Sequence, residues 1–255
     1  MPSSHDALAI AELVIYGGTA LPCSLFLWVK EGWRRFEWAF VFLLASLRII
    51  GSILQLKQDE TGPPSKSVAI VNGIGLSPLI GITLMLVHRL CKTSQHQRLA
   101  KVALFLHFVI FGAVPLLVIG ILKLFSSGKS LGRILTAIGL AIFLQVYLVQ
   151  TFLALYVYKV SAMAKQKPFS YLVFTIFTIT PLLLLRLLYS ALAFFVTSSK
   201  TFSPSNGSIA AQVLLSILPE NVIALLAVGW GMLNLKKEPK GSQSSAYELT
   251  SRTTS

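Results

Sequence analysis

Charge is what this chain has least of. Only 12% of its 255 residues are Asp, Glu, Lys or Arg, and just nine are acidic. An ordinary soluble domain carries about 25% charge, so a globule exposed to water on all sides is excluded. Cysteine is nearly absent as well. Cys23 falls midway along the first apolar run and Cys91 at the end of the third, a separation that does not favour a disulfide. Cys23 reads as a small buried residue, and Cys91, close to Arg89 and Lys92, as a candidate for palmitoylation.

Other absences exclude whole chemistries. The chain has no Asp-rich pair for a magnesium diphosphate site, no Gly-rich phosphate loop and no Gly-x-Ser-x-Gly elbow. His5, His88, His96 and His107 are scattered without ligand spacing, so neither a metal nor another cofactor is expected. The last apolar run lacks a lysine to anchor retinal. No Asp-Arg-Tyr ends the third run and no Asn-Pro-x-x-Tyr ends the seventh, so the usual marks of G-protein-coupled receptors are missing.

What is abundant is apolar sequence: 55% of the residues are hydrophobic and the mean hydropathy is +0.74. Runs of roughly 20 residues or more, enough to cross a hydrocarbon core about 30 Å thick, extend over about Ala7 to Val29, Glu37 to Leu56, Ser67 to Leu90, Val102 to Phe125, Leu131 to Tyr158, Ser170 to Thr197 and Ser208 to Leu235. The expected fold is an all-α membrane protein. It is a single bundle of seven transmembrane helices over residues 1–235, with a Ser- and Thr-rich disordered tail over 236–255. Met1 to Asp6 holds no Lys or Arg, so the first run is expected to be a retained helix and not a cleaved signal.

The formal charge of +13 is distributed by topology. Fourteen Lys and Arg fall after the first, third, fifth and seventh runs, among them Lys30, Arg34, Arg35, Arg89, Lys92, Arg98, Lys101, Lys159, Lys165 and Lys167. Six fall on the opposite side: Lys57, Lys66, Lys123, Lys129, Arg133 and Lys200. By the positive-inside rule the N-terminus is expected outside or lumenal and the C-terminus cytoplasmic. Membrane lipids account for the basic surface, so no nucleic-acid partner is expected. Asn206-Gly207-Ser208 is a glycosylation acceptor on the side expected to be lumenal.

Four charges lie deep inside the runs, away from their ends: Glu12, Arg48, Arg186 and Glu220. A carboxylate or guanidinium at a helix centre costs roughly 2.5–3.5 kcal/mol on insertion scales, so these residues should point inward and pair. Each lies on a polar or small-residue stripe at helical spacing: Glu12, Tyr16, Thr19 and Cys23; Arg48, Gly51, Ser52 and Gln55; Arg186, Tyr189, Ser190 and Ala193; Glu220, Ala224, Ala227 and Gly231. Arg186 and Glu220 sit at nearly equal depths in consecutive runs, which predicts contact between them. Pro22, Pro78, Pro115, Pro181 and Pro219 lie within the runs and free carbonyls that must find partners or line a cavity. In Pro219-Glu220-Asn221 the broken ladder adjoins a carboxylate and an amide. The outer part of the third run, with Asn72, Gly73, Gly75, Ser77 and Pro78, suits either a binding role or close packing. Gln145, Tyr147 and Gln150 suit hydrogen bonding between helices.

Leu47-Arg48-Ile49-Ile50-Gly51-Ser52 parallels Leu185-Arg186-Leu187-Leu188-Tyr189-Ser190. Such a parallel repeat of the first and last three helices around a linker is the plan of SWEET-type sugar transporters, although their relatives' Pro-Gln motif is absent here. Over most of its runs the chain resembles a fungal family of small seven-helix integral membrane proteins of unknown function. The resemblance is carried by Glu12-Leu13-Val14-Ile15-Tyr16, Leu47-Arg48-Ile49-Ile50-Gly51-Ser52, Asn72-Gly73-Ile74-Gly75-Leu76-Ser77-Pro78-Leu79, and Arg186 with Tyr189. It implies a seven-helix architecture and a fungal setting. A looser likeness is to fungal membrane-embedded terpene cyclases.

The expected function is binding or moving an amphipathic small molecule or lipid, in fungal secondary metabolism. The expected binding residues are Arg48, Arg186, Glu220, Glu12, Asn221, Tyr189 and Asn72. One alternative is a membrane-embedded cyclase or isomerase with Glu220 or Glu12 as general acid, and another is a receptor-like seven-helix protein.

Overall fold

The computed structural model describes residues 4–31, 36–57, 70–71, 73–125, 129–163, 170–195 and 209–235. Asn72, the Asn206 sequon and the tail expected from residue 236 lie outside the described residues. Those described form helices and no strand. Helix α1 runs from Ser4–Ile15 through a π-turn, Tyr16–Ala20, into Leu21–Glu31. Helices α2 to α6 are Phe36–Leu56, Leu76–Thr93, Gln97–Leu124, Lys129–Met163 and Ser170–Phe195. Helix α7 joins Ile209–Gln212 through a second π-turn, Val213–Ile217, to Leu218–Leu235.

Six of these helices, all but α3, are long and apolar enough to cross a membrane. The third run is expected from Ser67; residues 67–69 and 72 lie outside the described residues, Ile70, Val71, Gly73 and Ile74 are helical, and α3 spans Leu76–Thr93 with Arg89 and Lys92 in its last turns. Helix α3 packs against α2, α4, α5, α6 and α7, and it is buried continuously from Leu76 to Val87. A helix that is hydrophobic nearly all round is a buried one, and the stretch from Leu76 to Val87 is of that kind. Around it the sequence of neighbours is α2, α1, α7, α6, α5 and α4, and Phe40 of α2 meets His107 of α4 at 5.4 Å between ring centroids. Helix α3 thus touches helices of both halves of the expected repeat.

Glycine sets the closest approach in this ring. A Cβ on Gly120 of α4 would lie 2.7 Å from the Thr136 nitrogen, and one on Gly132 of α5 would lie 2.8 Å from the Gly120 oxygen. Only hydrogen fits at both positions, which lets the α4 and α5 backbones touch. The outer surface is apolar, with Phe108 of α4, Phe152 of α5 and Phe174 of α6 all exposed.

The prolines fall in three settings. Pro115 and Pro181 lie inside their helices, whereas Pro78 falls in the first turn of α3, where its missing N–H costs nothing. Pro22 and Pro219 each follow a π-turn and a leucine. Proline clashes with the carbonyl four residues back, and the wider π-turn accommodates that clash in both helices.

Candidate functional site

Glu12, Arg48, Arg186 and Glu220 converge where α1, α2, α6 and α7 meet, and all four are buried. Glu220 is the centre, with no exposed surface. Arg186 Nε donates to its Oε1, and Arg48 Nη2 pairs with its Oε2. Arg48 Nη1 lies 3.6 Å from Glu12 Oε1. Two acids and two bases therefore form one alternating, formally neutral chain, as buried charges require.

Serines four residues after each arginine complete the cluster. Ser52 Oγ lies 3.2 Å from Glu12 Oε2 and 2.9 Å from its own helix at Arg48 O, and it donates to these acceptors. Ser190 Oγ accepts from Arg186 Nη1 at 2.7 Å. The repeated Leu-Arg-x-x-x-Ser string thus places two arginines on the Glu220 carboxylate, with Ser52 bonded to Glu12 and Ser190 to Arg186. The Arg186 guanidinium also stands 5.7 Å from the Tyr189 ring centroid. Tyr16 Oη and Asn221 Oδ1 are buried without a hydrogen-bond partner among the described residues.

A cavity of about 260 Å³ adjoins the cluster, between the C-terminal halves of α4 and α6 and the N-terminal parts of α3, α5 and α7. One water needs roughly 10–15 Å³ on a comparable measure, so this space admits an organic molecule. Its walls differ in character. Leu117, Ile121, Leu124 and Phe125 of α4 form an apolar side, while Arg186, Ser190, Gln212 and Ser216 bring polar groups from α6 and α7. The whole α6 stripe expected from the sequence, Arg186, Tyr189, Ser190 and Ala193, lines it.

Other expectations need correction. Thr19 is exposed and Cys23 half-buried, while Ala20 and Ser24 hold the inward face of α1. A π-turn takes one more residue per turn, so the face advances by one position. The same effect hid Gln212 and Ser216, which stand eight and four residues before Glu220 on the inward face of α7. The signal available was the shared Leu-Pro after each π-turn. Gln145 is exposed and joins no helices, because the inward face of α5 passes through Val146, Tyr147 and Gln150. Tyr147 Oη does donate to Thr180 O at 3.3 Å, and Thr83 Oγ1 to Gln150 Oε1 at 3.2 Å. Cys91 is completely buried and so is closed to acylation.

A bundle of long apolar helices around a neutral buried charge cluster has the build of a multi-pass membrane protein. Residues 3–237 match the family described as Domain of unknown function (DUF7702), and the chain belongs to that family. No curated protein and no solved structure matches it.

Proposed function

We propose that this is an integral membrane protein that binds or moves an amphipathic small molecule or lipid in the cavity beside Arg186 and Glu220. The observation that carries this reading is the division of the cavity wall: four apolar residues of α4 face a polar side drawn from α6 and α7. Ligand sites combine an apolar lining with a few polar groups that fix orientation. The exposed aromatic and aliphatic surface of the helices favours a lipid surround. In this reading the N-terminus is outside or lumenal and the C-terminus cytoplasmic, as the basic loops require. The fungal setting and a place in secondary metabolism, implied by the sequence resemblance, belong to the same proposal. A carboxylate held by two guanidiniums is poorly placed to donate a proton, so the geometry of Glu220 weighs against the cyclase alternative.

Photolabelling tests the site. The purified protein in lipid nanodiscs should be labelled by an amphiphile carrying a diazirine on its chain, at peptides covering Leu117 to Phe125. Ala193→Trp, which fills the cavity from α6, should remove that label and leave the fold intact by circular dichroism. Labelling that is unchanged in the folded variant places the ligand elsewhere and refutes the reading.

A further inference from the structure

The ligand of this cavity can be narrowed by asking which polar groups on its wall remain uncommitted. Arg186 is not an open anion clamp. Its Nε is given to Glu220 and its Nη1 to Ser190, and the four charges of the cluster balance in number. An anionic head would have to compete with Glu220 for that guanidinium, at the cost of breaking a buried pair. A cationic head would find each carboxylate already engaged by an arginine.

Gln212 is different. It lines the cavity, is only 8% exposed, and its Oε1 has no hydrogen-bond partner among the described residues. A buried amide oxygen without a partner carries a desolvation penalty that a ligand can remove by donating to it. Gln212 and Ser216 extend the same inward face of α7 that ends on Glu220, so a donor placed at Gln212 lies on the polar side of the space. The rest of such a molecule then meets Leu117 and Ile121 across the cavity.

We infer that the cavity takes an uncharged, hydroxyl-bearing amphiphile from the membrane, whose hydroxyl donates to Gln212 Oε1 while its apolar body lies against α4. This rests on the reading of the cavity as a ligand site and specifies the head group. Charge neutrality of the cluster excludes a strong preference for either ion, and the unpartnered acceptor selects a donor.

The experiment uses the full chain in nanodiscs and a photoactivatable decanol, with decanol, decanoate, decylamine and butanol as competitors. Decanol should compete most strongly, the two ionic analogues at least about tenfold less well, and butanol hardly at all, because it lacks the body that fills the apolar side. Gln212→Leu should weaken decanol about tenfold, the effect of one lost hydrogen bond to a buried group. Its melting temperature without ligand should stay level or rise, since the substitution removes an unpartnered buried acceptor. Stronger competition by decanoate or decylamine overturns the inference while leaving the cavity a ligand site. Equal competition by butanol assigns the polar contact to a ligand from water and overturns the membrane source. If Gln212→Leu fails to fold, the order of competitors on the wild-type chain still decides. If Ala193→Trp leaves every competitor's effect unchanged, the ligand is not in the cavity and both readings fail.

Discussion

Arg48 and Arg186, carried on helices α2 and α6, close on opposite oxygens of one carboxylate, that of Glu220. Arg48 also reaches a second acid, Glu12, so it bridges the two carboxylates, while Arg186 holds the other oxygen of Glu220.

Asymmetry of this kind predicts an order of mutational cost. Glu220→Leu takes a carboxylate from both arginines, leaving Arg48 with Glu12, and should be the most damaging, roughly 3–5 kcal/mol for a buried pair broken by loss of one partner. Arg186→Leu leaves Glu220 with Arg48 and should cost less. The double variant Arg186→Leu with Glu220→Leu retains the Arg48–Glu12 pair and should recover part of the loss. Thermal unfolding of detergent-purified protein gives all three values, and strict additivity would show that the two residues are uncoupled.

Contact between α4 and α5 depends on hydrogen atoms at two glycines. Gly120→Ala and Gly132→Ala should each lower the folded yield, because the backbone of the neighbouring helix stands where the methyl would go. Gly112→Ala and Gly229→Ala meet nothing within 4 Å and should match or exceed the wild type, as alanine favours helix. Fluorescence-detected size exclusion of the four variants checks this. Equal yields in both pairs would mean that the helices are free to separate.

The proposed orientation rests on fourteen basic residues on one side and six on the other. In sealed microsomes, protease added outside should remove a C-terminal tag while a tag before Met1 stays protected. The opposite pattern would invert the topology.

The cluster was legible because charge is so scarce. With four ionisable residues in long apolar runs, pairing followed from cost alone, and the α2 and α6 stripes followed from a regular period of 3.6. Helices α1 and α7 were misread where a π-turn changes that period. Thr19 and Cys23 were placed inward in error, and Gln212 and Ser216 were missed. The surrounded position of α3 was equally hidden, since its composition resembles that of a helix facing lipid on one side. Gln145 and Cys91 failed for a related reason: residue type suggests a role, but the helix face decides it.

For a chain entering the membrane from its N-terminus, the position of the four charges also sets a timetable. Glu12 and Arg48 arrive on adjacent helices and can neutralise one another as soon as the first hairpin forms. The pairing of Arg186 with Glu220 comes later, once α6 is complete and α7 delivers the carboxylate. Helix α7, made after the other six described helices, is therefore the one that brings Glu220 to both arginines. Before α7 arrives, the two arginines lack the one carboxylate that joins them in the folded chain.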